Sequence, residues 1–124
     1  KKYAIMNSSW QAALGKRTNS DIDVLVAEDF LDEAISIAKP PVSIMKYVHW
    51  YCSQATGKSS ASEVIKNHSI EVDDIRIINF ETYIKMMNVR KNSNTRFSKP
   101  AQVDLDAISE YIPVNGVPVK NEKV

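Results

Sequence analysis

Residues 21–26, Asp-Ile-Asp-Val-Leu-Val, set two carboxylates two positions apart at the head of an apolar, β-branched run. A strand turns successive side chains to opposite faces. This spacing therefore sends Asp21 and Asp23 to one face and Ile22 and Val24 to the other. The period then changes: Phe30, Leu31, Ala34, Ile35 and Ala38 recur at helical spacing over residues 27–39, acids crowd the first turns, and Pro40-Pro41 stops the run. A strand that passes directly into an amphipathic helix points to helices packed on a sheet.

The rest of the chain repeats the alternation. Residues 3–6 read as a short buried strand, Asn7-Ser8-Ser9 as a turn and helix N-cap, residues 10–14 as a helix, and Gly15 as its stop. Residues 42–52 are rich in aromatic and β-branched side chains and read as a strand, with Tyr47, His49 and Tyr51 on one face and Val48, Trp50 and Cys52 on the other. A loop over 53–59 leads to a helix opened by a Ser60/Glu63 capping box. Short strands at 70–72 and 75–79 flank an Asp73-Asp74 turn. Tyr83, Ile84 and Met87 mark a helix over 80–89, and Pro100 precedes a last helix with Val103, Ala107, Ile108 and Tyr111 on one stripe. From Pro113 onward valines interleave with Pro, Gly, Asn and Lys, which predicts a loose surface tail. The fold class is α/β (α+β): a small mixed β-sheet with helices packed on it. Residues 1–112 form one domain and residues 113–124 its tail.

Size and charge narrow the function. A chain of 124 residues, 44% hydrophobic and 25% charged, has the makings of one domain with a real core. Its formal net charge of +1 supplies no global field for a polyanion or a membrane, so any binding patch is local. One cysteine, Cys52, excludes an internal disulfide, and no apolar run approaches the ~20 residues that span a bilayer. These features predict a cytoplasmic protein without a membrane partner. Residues 1–6 begin inside the first strand, so a short leading segment is expected ahead of Lys1.

Two strand-borne carboxylates on one face suit Mg²⁺ or Mn²⁺, hard cations held by one or two carboxylates together with substrate phosphates. Lys16 and Arg17 stand where they steer phosphates toward Asp21 and Asp23, or serve as solvated loop charges. Arg90, Lys91, Arg96 and Lys99 form a basic run between the last two helices, fit for an RNA backbone, a triphosphate or plain solvent. Gly57-Lys58-Ser59 is no phosphate loop, because that motif needs glycine where Cys52 stands.

A small-residue turn after the first strand, a short helix and an Asp-x-Asp strand together resemble the DNA polymerase beta-like nucleotidyltransferase superfamily. Gly15-Lys16-Arg17-Thr18-Asn19-Ser20-Asp21-Ile22-Asp23 is most similar to the small AbiEii-type abortive-infection toxins of that group. Residues 77–84 and 104–108 resemble later segments of the same group, so the likeness spans residues 1–112. It implies that Asp21 and Asp23 are catalytic and bind Mg²⁺. It further implies that Ser8 and Ser9 hold phosphates, helped by Lys16 or Arg17, and that a nucleoside monophosphate passes from an NTP to a hydroxyl on RNA (such as tRNA), protein or a small molecule. The chain departs from the pattern in three places. Met6-Asn7-Ser8-Ser9 replaces a glycine turn, His49 occupies the position of the third acid, and Met87 replaces a frequent lysine, with Lys85 nearby. A catalytically degenerate copy, acting as a binding module or partner subunit, is the alternative expectation.

Overall fold

A computed structural model describes residues 2–122; Lys1, Lys123 and Val124, the last two belonging to the expected tail, lie outside the described residues. Strands β1 (Tyr3–Ile5), β2 (Ile22–Val26), β3 (Val42–Met45), β4 (Ser69–Val72) and β5 (Ile75–Ile78) build a mixed sheet in the order β3-β2-β1-β5-β4. β1 runs antiparallel to β2 and parallel to β5; β2 runs parallel to β3, with Asp23 opposite Ser43. Helices α1 (Ser9–Ala13), α2 (Leu31–Ile37), α3 (Trp50–Thr56), α4 (Ala61–His68), α5 (Phe80–Lys91) and α6 (Ser98–Ala107) intervene. The α/β class expected from the sequence is the one observed.

Period-two alternation decides which face is covered. Ala4, Met6, Leu25, Met45 and Ile78 are buried on one side, where they join Cys52 of α3, Val64 and Ile65 of α4, and Phe80, Tyr83, Met86 and Met87 of α5. Burying an aliphatic or aromatic side chain of this size yields roughly 1.5–3 kcal/mol, so this layer holds the sheet and α5 together. Trp10 locks α1 onto β5: its indole N–H donates to the Ile78 carbonyl at 2.7 Å and its ring meets Phe80 edge-on. The other face keeps Tyr3, Ile22, Val42 and Ile75 partly exposed.

Four expectations need correction. The strand predicted over 42–52 ends at Met45, the last residue paired with β2, and His49 instead caps α3. β2 itself stops after Val26, so the chain has no partner strand beyond that point. Residues 27–39 hold a 3₁₀ turn, Glu28–Phe30, before a shorter α2, and Ile35 and Ile37 face solvent. In α6 the buried residue is Ala101, with Ile108 just beyond the helix; Val103 is 63% exposed. The predicted loose tail is a hairpin of β6 (Tyr111–Val114) and β7 (Val117–Lys120). Its two-residue loop has Asn115 at φ 51° and Gly116 at φ 84°, the positive angles of a type I′ turn. In such a hairpin the pair beside the turn exchanges hydrogen bonds. Pro113 and Pro118, the next pair out, therefore sit where no N–H is needed.

Candidate functional site

The turn between β1 and α1 carries the unusual backbone. Asn7 adopts φ 56°, the left-handed region that asparagine tolerates better than other side chains, and this aims its amide back at β2. Its Nδ2 donates to Asp23 Oδ2 at 2.7 Å. On the other side, Tyr51 O–H donates to Asn7 Oδ1 at 3.1 Å, and His49 Nδ1 stands 3.0 Å from the same hydroxyl. Since the phenol proton goes to Asn7, His49 must donate from Nδ1, which fixes its tautomer. Burial pushes the Tyr51 hydroxyl up to about 12, so it remains a donor at neutral pH. Burial also lowers the pKa of His49, against the pull of Asp23. The result is a directed line of donors, His49 to Tyr51 to Asn7 to Asp23, that fixes one carboxylate oxygen and leaves the other for a ligand.

That carboxylate opens into a concavity of about 280 Å³, bounded by Asn7, Ser8, Arg17, Tyr51, Arg90 and Asp104 among others. Tyr83, Met87 and Arg90 recur at i, i+4 and i+7 and bring one face of α5 to it. The Arg90 guanidinium lies 5.0 Å from the Tyr51 ring centre and 5.1 Å from that of Phe97. Its Nε is the only buried side-chain nitrogen or oxygen without a hydrogen-bond partner among the described residues. Such groups in folded proteins call for an explanation, and a ligand acceptor is a direct one. Across the opening, Arg17 pairs with Asp104 at 3.2 Å. Gln11 is buried behind this wall and donates to the Asp104 carbonyl and to Tyr83 Oη.

The residues singled out from sequence divide. Asp23, Ser8 and Arg17 come together at this concavity. Asp21 lies in the bend before β2, exposed and outside its lining. Ser9 faces another groove and donates to the Met6 carbonyl at 2.9 Å, while Lys16 turns away to Glu110. His49 reaches Asp23 only through Tyr51 and Asn7. α1 has just five residues, and Ser8 at its start makes no side-chain cap, bonding Asn19 at 3.3 Å instead. Asn7, Tyr51 and Asp104 were missed as site residues, and Arg90 was read only as part of a loop charge run. The helical spacing of Arg90 from Tyr83 and Met87 was the available clue.

No group of three His, Cys, Asp or Glu side chains gathers at a metal-binding distance among the described residues. Of the two carboxylates that border the concavity, Asp104 is paired with Arg17, so Asp23 is the one that could serve as a single protein ligand to a divalent ion. Comparison with known proteins gives no matching family model, no matching curated protein and no matching solved structure. No described helix is long and apolar enough to cross a membrane.

Proposed function

We propose that this is a nucleotidyltransferase-like domain that binds the phosphates of an NTP in the Asp23 concavity with Mg²⁺ or Mn²⁺ and transfers a nucleoside monophosphate to a hydroxyl acceptor. One observation carries the reading: an oriented carboxylate and an arginine with a buried, unpartnered Nε line the same opening at the β1–α1 turn. The metal, when bound, neutralises phosphate charge. Arg90 supplies planar donors for non-bridging phosphate oxygens, held in place by its two aromatic rings. Arg17, tethered to Asp104, borders the opening, and Asn7 keeps Asp23 from rotating. In the transfer the acceptor oxygen bonds to the α-phosphorus and the bond from that phosphorus to the β-bridging oxygen breaks. Pyrophosphate leaves with the electron pair, and the hydroxyl proton passes to solvent.

The test is label transfer from each α-labelled NTP, with Mg²⁺ or Mn²⁺, to total tRNA and to a protein lysate. Transfer that disappears in Asp23→Asn and persists in Asp21→Asn, the exposed acid outside the lining, supports the proposal; transfer unaffected by Asp23→Asn defeats it.

A second reading, a nucleotide-binding module without transfer, is favoured by the Asn7 amide on Asp23 Oδ2, which occupies an oxygen that a metal would otherwise take. Asn7→Gly separates the two, because glycine accepts the positive φ and removes the amide. If the amide blocks the metal, this variant binds Mn²⁺ more tightly than the parent. If the amide orients the carboxylate for transfer, the variant loses activity.

A further inference from the structure

Bordered by α3, the C-terminal part of α5 and the segment after it, a second concavity of about 590 Å³ is lined by Trp50, Gln54, Asn88, Asn92 and Thr95, with no charged side chain among its residues. Trp50 is 40% exposed, a large area for an indole on a small domain, and its ring is braced edge-on at 5.5 Å by Tyr51. Asn88 donates to the Ile84 carbonyl at 3.1 Å, whereas the amides of Gln54 and Asn92 bond to no other described residue. The rim is held rigid: Ser93 Oγ donates to the Arg90 carbonyl and meets Thr95 Oγ1 at 2.7 Å. A braced π-face beside free carboxamides is the chemistry that stacks a base and reads its edge.

The chain around this pocket is strongly one-sided. From Glu81 to Asp104 no acid intervenes, while Lys85, Arg90, Lys91, Arg96 and Lys99 all fall in between. Lys85 pairs with Glu81, but Lys91, Arg96 and Lys99 are exposed and form no ion pair among the described residues. Lys91 adjoins pocket residue Asn92, and Arg96 adjoins Thr95. A neutral, aromatic pocket bracketed by unpaired cations matches a base on a phosphate backbone; a neutral sugar makes no use of the cations.

We propose that the Trp50 pocket binds an unpaired base of single-stranded RNA. The pocket adjoins the Asp23 site through Trp50–Tyr51 and Val89–Arg90, so, on the functional reading above, it selects RNA as the hydroxyl acceptor.

Anisotropy of labelled oligo(A), oligo(C) and oligo(U), with a blunt RNA duplex and a neutral oligosaccharide as unlabelled competitors, tests this on the full chain. Saturable binding to at least one single strand is expected, with no competition from duplex or oligosaccharide. Trp50→Ala is expected to weaken it about 10-fold or more, and Trp50→Phe to retain most of it, as stacking predicts. Asn92→Ala, on an exposed site, is expected to alter the preference among the three bases without affecting the fold. Mg-ATP binding measured on Trp50→Ala is expected to equal that of the parent, which shows that the variant is folded. Equal RNA affinity in parent and Trp50→Ala, equal competition by duplex, or displacement by the oligosaccharide overturns the proposal. RNA binding that persists in a chain with no Mg-ATP binding leaves this proposal standing and removes the nucleotidyltransferase reading alone.

Discussion

Asp23 lies near the start of β2 and Glu28 just past its end, and both accept hydrogen bonds from distant parts of the chain. Glu28 is saturated: it takes Ser60 Oγ and Ser62 Oγ, each at 2.7 Å, and the Ser62 N–H at 3.2 Å, and these bonds lower its pKa to about 2. It sits in solvent, ties the 3₁₀ turn to the N-terminus of α4, and borders none of the polar concavities described above. Asp23 takes one amide on one oxygen and faces an arginine that has found no acceptor. A carboxylate whose bonds are all satisfied by its own chain reads as structure, and one left half-satisfied in a concavity reads as a site.

Four variants press on that contrast. The largest effect is expected for Asp23→Asn, which keeps the Asn7 contact but removes the charge: transfer falls about 100-fold or more with an unchanged melting temperature. Arg90→Met comes next. Losing charge-assisted bonds to phosphate lowers Mg-ATP affinity roughly 10-fold or more in calorimetry. Stability holds or rises, because a buried group without a partner has been removed. A clear drop in melting temperature would make Arg90 a structural residue and collapse the comparison.

Glu28→Gln acts on the other side, costing about 1 kcal/mol at neutral pH, the size of a lost helix cap, since solvent screens the exposed carboxylate. The sign follows from the lowered pKa. Glu28 stabilises the fold above its unfolded value of 4.5, and that contribution disappears as pH falls toward about 2. Melting temperatures of parent and variant are therefore expected to converge across that window. Lys16→Ala has the smallest effect, leaving Mg-ATP affinity unchanged because Lys16 reaches Glu110 rather than the phosphates.

Much of the sheet was legible because period two and turn chemistry are local signals. β1, β2, β5 and the Asp73-Asp74 turn follow directly from them, and both turn residues take the positive φ expected of a hairpin loop. Residues 46–52 misled because their alternation is real, yet pairing with β2 ends at Met45 opposite Leu25, β2 itself ends one residue later at Val26, and the segment turns into α3 instead. The hairpin at the C-terminus was missed although Asn115-Gly116 is a strong turn signal; its two prolines disguised it, and only the cross-strand register shows them to be harmless. Half of the candidate site was legible for the same reason. Asp23 and Ser8 belong to a contiguous motif, whereas Tyr51, Arg90 and Asp104 reach the concavity from three helices or loops far apart in the chain, a coincidence that no spacing rule encodes.

That hairpin also has a mechanical role. The Gly116 carbonyl accepts the Phe80 N–H at 2.7 Å, at the first turn of α5, and a Cβ on Gly116 would come within 2.8 Å of Ile70. The helix bearing Arg90 is thus anchored at its far end by a segment that lines neither the Asp23 nor the Trp50 concavity. Truncating the chain after Ile112 would spare every residue that touches the opening and yet release the beam on which the arginine is mounted.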